Sequence, residues 1–285
     1  MTNEKSRRIL FPFPSIPALD LTEAASKELR TMKEPTPVSV PGRPRVPILD
    51  ELRGLSILLM VLYHAVYDLV ERFGVPLRFF HSRWLEMLVA FFAGVFIFLS
   101  GISSRYSRSN FRRGGICLGF AFLLTLVTYW VQPEFPIRFG ILHLLGVCIL
   151  LEPLLRPFTD RLPPWVGMGA AFLLVFLTWQ VPDGFIGIPG VFLLQMPSGL
   201  YWGGLYGLGF PSAMFISADY FPLIPWGFVF LAGSSFGRLV RGNRLPSWFY
   251  RSRLPWLAAV GRHTLLIYLL HQPVLYALFW IAAQI

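Results

Sequence analysis

A chain of 285 residues that is 55% hydrophobic, 16% aromatic and only 14% charged, with mean hydropathy +0.58, has too little polar surface to coat a soluble globule, where about 25% of residues are charged. Its formal charge of +10 is not a nucleic-acid signal, because the basic residues gather in the N-terminal segment and in alternate loops, where they orient membrane helices. Long apolar runs parted by short polar breaks point instead to an all-α, polytopic membrane bundle of about seven transmembrane helices, since a helix satisfies its own backbone in lipid.

Residues 1–46 form a Pro-, Lys-, Arg- and Glu-rich leader with no apolar core behind its first charges, so it does not read as a cleavable signal peptide. It is expected to be a largely disordered cytoplasmic tail with a short surface helix around residues 19–32. Residues 47–285 are expected to be one transmembrane domain. Spans are expected near 52–71, 84–103, 114–131, 138–155, 165–181, 222–240 and 257–283. The stretch 182–221, rich in Gly, Pro and aromatics, fits a structured outer loop, a re-entrant segment or an additional helix pair. The two cysteines, Cys117 and Cys148, fall in apolar runs and are expected as free thiols packed as small hydrophobes.

Loop charges set the orientation. The leader carries eight Lys or Arg, and Arg105, Arg108, Arg112, Arg113, Arg156, Arg161 and the Arg238–Arg253 cluster fall on the same side of the alternation. The opposite side has Arg72, Arg78, Arg83 and Arg138, and none in 182–221. The positive-inside rule places the N-terminus in the cytoplasm and the C-terminus outside. A single extra span in 182–221 would break that alternation.

The first span reads LDELRGLSILLMVLYHAVYDL. Arg53 and His64, eleven residues apart, share a helix face about 16 Å apart along the axis. Asp68 lies one turn beyond His64 on the same stripe, where it is placed to accept the ring N–H and orient the base. The competing reading is a structural His–Asp pair closing the outer end of the helix; ionisable groups inside a membrane more often line a pathway or site. By residue count His64 and His143 lie at similar depth in the middle to outer half of the bilayer, with His271 nearer the midplane, which suggests a shared polar chamber. Pro273 frees a backbone carbonyl near His271. His81, in FFHSRWLE, sits at the outer mouth beside Phe80 and Trp84. At the other end, Arg262 and His263 begin the last span and with Arg53 form a candidate basic rim for a phosphate-bearing ligand; positive-inside anchoring explains them as well.

The segment LDELRGLSILLMVLYH resembles the opening of two related groups: the heparan-alpha-glucosaminide N-acetyltransferase catalytic-domain family and the membrane O-acyltransferases that modify bacterial polysaccharides. FFHSRW, FAGVFIFLSGIS, IRFGILHLLGVCILL and GRHTLLIYLLHQPV are similar to the first family at successive positions, so the resemblance runs from Leu49 to the end of the chain. It implies acetyl transfer from cytoplasmic acetyl-CoA, as co-substrate, to an acceptor across the membrane, with a histidine as base or transient acyl carrier. His64 matches the histidine of the polysaccharide enzymes. His81 matches the catalytic histidine of the heparan-type enzymes, in which the His64 position is Asn. The sequence holds fewer spans than the animal enzyme and no counterpart of its large luminal domain, so a saccharide of a bacterial envelope, reached from the inner membrane, is the expected acceptor rather than heparan.

On this reading Arg53, Arg262 and His263 hold the nucleotide end of acetyl-CoA, and its pantetheine arm follows the Arg53–His64 stripe. His64, oriented by Asp68, acts as base or acyl carrier, and His143 or His271 stabilises the oxyanion. The partners are then the lipid bilayer, acetyl-CoA and an extracytoplasmic saccharide, with no metal and no nucleic acid. A proton-coupled transporter and a non-catalytic membrane scaffold stay open as alternatives; against the first, the two halves show no repeat symmetry.

Overall fold

The computed structural model describes residues 46–282 and 284. The leader expected as a tail with a surface helix lies, up to residue 45, outside the described residues. Among the described residues, seven segments are long and apolar enough to cross a membrane. The helices are α1 Pro47–Glu71, α2 Arg83–Ser104, α3 Asn110–Val131, α4 Ile141–Thr159, α5 Pro164–Thr178, α6 Leu223–Arg241, α7 Pro255–Arg262 and α8 Thr264–Ala282. Local chemistry sets several starts. Pro at the first turn opens α1, α5 and α7, where a missing N–H costs nothing. Ser82 and Ser109 cap α2 and α3 by accepting the Leu85 and Arg112 amides.

Small residues let the helices meet. Gly101 of α2 lies against the Phe230 carbonyl of α6, and Gly233 of α6 against the Phe98 carbonyl of α2. Gly114 of α3 and Gly146 of α4 make room for the Leu150 and Leu118 side chains. Such contacts supply the van der Waals packing that drives association where no hydrophobic force acts between helices. The core centres on Ile97, Ala121, Leu144 and Phe230, all essentially sealed. The outward faces of α3, α5 and α8 carry Leu126, Trp130, Phe176, Leu270 and Leu278 in the open, as a lipid-facing surface requires.

The last span differs from the single helix expected over 257–283. It breaks at His263 (φ −110°, ψ 18°) into α7 and α8. The cause is the seat of α7 on α1. The Glu51 carboxylate accepts bonds from the Ser252 hydroxyl at 2.7 Å and the Arg253 and Leu254 amides at 2.8 and 3.0 Å, holding the entry to α7. Gly54 faces the Leu257 carbonyl and Gly261 the Asp50 carbonyl, so the two backbones touch.

The stretch 182–221 is a structured excursion with no helix pair. A 3-10 turn at Val181–Asp183 leads into an antiparallel hairpin, β1 Phe185–Ile188 with β2 Phe192–Gln195, in the register Phe185↔Gln195 to Ile188↔Phe192. Gly190, at φ +81°, supplies the left-handed residue of its turn. The Tyr201 hydroxyl donates to the Val181 carbonyl at 2.5 Å, the Tyr220 hydroxyl to Tyr206 at 2.7 Å, and Phe139 bridges Tyr220, so the excursion is sewn to itself and to the start of α4. Cys117 and Cys148 are buried free thiols.

Candidate active site

α8 lies along α1, and this brings two of the predicted histidines together. The His64 and His271 ring centroids are 4.9 Å apart, with the planes inclined by 48°. Tyr63 adjoins His64 at 5.5 Å and stacks on Phe80 at 5.9 Å, forming an aromatic wall beside His64. Arg53 stands eleven residues below His64, about 16 Å along the helix.

His271 is held by its own helix and by the 182–221 excursion. Its Nδ1 lies 2.7 Å from the Tyr268 carbonyl oxygen. Its Nε2 is buried and has no hydrogen-bond partner among the described residues. The Tyr268 ring packs 5.7 Å from His271, and its hydroxyl donates to Asp219 Oδ2 at 3.2 Å. The same oxygen accepts the Ile141 amide at 3.0 Å, at the N-terminus of α4 where backbone N–H groups are free. Burial pushes the Asp219 carboxyl above the usual carboxylate range, against the opposing pull of those two bonds. Gly140 has no space for a Cβ beside that carboxylate.

His143 has its own partners. Its Nδ1 accepts the Gly140 amide at 3.2 Å, its Nε2 lies 3.3 Å from Thr125 Oγ1, and Phe139 stacks on it at 5.6 Å. The imidazole thereby ties the start of α4 to α3. Ile141, two residues before it, is linked through Asp219 to Tyr268 beside His271.

Asp68 is 1% exposed and pairs with Arg72, whose Nε is 3.0 Å from Oδ1 without a hydrogen-bonding alignment. Arg72 also reaches Gln132 Oε1 at 3.3 Å and lies over the Tyr276 ring. The expected hydrogen bond from His64 to Asp68 is not formed among the described residues. His81 is exposed between α1 and α2, 3.7 Å from Glu71 and edge-on to Phe80.

At the Arg-rich end, Arg53 bonds Asp50 at 2.6 Å and the Ser103 hydroxyl, with Arg113 within Coulombic range and donating to the Ser103 carbonyl at 3.4 Å. Arg262 and His263 line a groove with Phe120, Leu265, Leu266 and Leu269 at the α7–α8 break. Beside these lies a buried ionic cluster. Glu152, 1% exposed, meets Arg105 at 3.0 Å, Arg156 at 2.6 Å, Asn110 at 2.8 Å and Ser234 at 3.2 Å. Asp160 continues it to Arg105 at 2.8 Å and Arg238 at 3.6 Å, joining the ends of α2, α3, α4 and α6.

Sequence reasoning missed Tyr268, Asp219, Arg113 and Glu152. A faint signal existed for two of them: Asp219 is one of only two carboxylates in 182–221, and Tyr268 precedes His271 by one turn. Among the described residues, no three His, Cys, Asp or Glu side chains are placed to hold a metal ion.

Residues 45–273 match the protein family described as heparan-alpha-glucosaminide N-acetyltransferase, catalytic. No curated protein and no solved structure matches the chain.

Proposed function

The chain belongs to the heparan-alpha-glucosaminide N-acetyltransferase catalytic family, and from that premise we propose that it moves an acetyl group from acetyl-CoA, bound at the cytoplasmic face, to a hydroxyl or amine of a saccharide on the far side of a cell membrane. The supporting observation is the His64–His271 pair. Two imidazoles in contact inside membrane-spanning helices are costly to keep, and such groups mark reaction or transport sites.

The basic groups at the Arg-rich end, Arg53 with Arg113 beside it and Arg262 with His263 at the helix break, suit the phosphates of the co-substrate. The pantetheine arm is long enough to climb the stripe from Arg53 to His64, about 16 Å, and bring the thioester to the imidazole pair. There the pair supplies the base for direct attack by the acceptor, or one ring is acetylated first and then passes the group on. The aromatic side chains Tyr201, Trp202 and Tyr206 of the excursion offer stacking surfaces for a sugar ring. A bacterial inner membrane with an envelope saccharide as acceptor fits this arrangement.

Purified protein in vesicles, supplied with radiolabelled acetyl-CoA on the Arg-rich side and an envelope glycan extract on the other, tests the proposal. Label is expected in the glycan, and the double substitution His64→Ala with His271→Ala should abolish it. Wild-type protein that transfers no label overturns the proposal. Label retained on the protein when acceptor is omitted marks the acyl-enzyme route, and His81→Ala measures the contribution of the mouth histidine.

A further inference from the structure

We propose that within this pair His271 is the group that takes the acceptor's proton, with Tyr268 and Asp219 as positioning residues. The inference rests on the acetyl-transfer reading above and assigns roles inside its site.

The tautomer carries the assignment. A carbonyl oxygen only accepts, so the 2.7 Å contact from Tyr268 requires a proton on His271 Nδ1. In the neutral ring Nε2 is then a lone pair. That nitrogen is buried with no partner, and a buried acceptor left open in a packed membrane bundle is a place for a donor that arrives with a ligand. No hydrogen bond to either nitrogen of His64 occurs among the described residues, so nothing there selects one tautomer.

His271 packs against His64 from α1 and Tyr268 from its own helix. Behind Tyr268 stand Asp219 from the excursion and Cys117 from α3. The Tyr268 hydroxyl is anchored on Asp219, which also holds the Ile141 amide. The excursion therefore fixes the turn of α8 whose carbonyl fixes the imidazole.

The step balances without a further reagent. The acceptor's O–H or N–H proton moves to His271 Nε2 as the oxygen or nitrogen bonds to the thioester carbonyl carbon, and the C=O π pair moves onto oxygen. The tetrahedral adduct collapses, the C–S bond breaks, and the departing sulfur takes the proton back from Nε2. His271 returns to its neutral Nδ1–H form.

His271→Asn is the test, because its side-chain amide can still donate to the Tyr268 carbonyl while the Nε2 lone pair is gone. Transfer of label from acetyl-CoA should fall in kcat by roughly 10²- to 10⁴-fold with the unfolding temperature unchanged, and by more than in His64→Asn. The assignment is overturned if His271→Asn transfers at the wild-type rate, or if His64→Asn is the more damaged. Ring-nitrogen NMR of the wild-type protein is a second measurement that needs no folded variant: Nδ1–H is expected for His271, and Nε2–H overturns the assignment. Wild-type protein that moves no label at all overturns the acetyl-transfer reading itself, an outcome distinct from an active His271→Asn.

Discussion

The imidazoles of His64 and His271, on the first and last membrane-spanning helices, meet at 4.9 Å because α7 is clamped to the base of α1 and α8 must leave from that clamp. Three expectations follow from how this contact and its surroundings are built.

The clamp depends on backbone contact at Gly54 and Gly261, where an added methyl would overlap the Leu257 and Asp50 carbonyls. Gly261→Ala should destabilise the protein by about 1–3 kcal/mol, the usual cost of overpacking, and should part the two rings. Gly115→Ala, on an open face of α3, should be neutral or stabilising by up to about 1 kcal/mol. Thermal unfolding in detergent compares the two. Equal unfolding temperatures for both variants would show that the close approach is not what holds α7.

Glu152 is the hub of the ionic cluster at the Arg-rich end, and its partner Arg105 is 5% exposed. Glu152→Gln leaves that guanidinium with only the half-exposed Asp160 as counter-charge and removes the charge from its bond to Glu152, which should cost about 1.5–3 kcal/mol. Asp160, 42% exposed, sits at the rim of the same cluster, and Asp160→Asn should cost less than about 1 kcal/mol. The yield of folded protein and its unfolding midpoint check the ranking. A milder effect at Glu152 than at Asp160 would contradict the buried-hub account.

Asp219 gives the stability a pH dependence of definite sign. Its carboxyl is raised in the fold by burial, so the folded state holds a proton that the unfolded chain releases. The associated stabilisation is full below the ordinary carboxylate range and is lost as pH rises through the raised value. Asp219→Asn, which stays neutral and still offers an oxygen to the Ile141 amide, should remove this component. Wild-type minus variant stability should therefore fall as the pH is brought up from acid toward neutral. A difference that is flat or rises with pH would refute it. Asp219→Ala should in addition loosen the Ile141 amide in hydrogen exchange.

The membrane character, the number of spans and the common face of Arg53 and His64 were legible in the sequence, because apolar run length and helical period are local properties of the chain. Family membership was legible as well, carried by ordered motifs from Leu49 onward. The partner of His64 was a tertiary matter. Depth along a span can be counted from the sequence, but azimuth cannot, so the count grouped His64, His143 and His271 while packing joined only two of them directly. His143 turned instead to Thr125 and Gly140, and Asp68 to Arg72. The break at His263 was hidden in a continuous apolar pattern, since its cause is Glu51 and two glycines acting across space. Asp219, placed in a segment with no helical period, acquired its role only when the excursion folded back over the start of α4. Local composition places a residue in the membrane; which other residue it faces there is decided by how the helices pack around it.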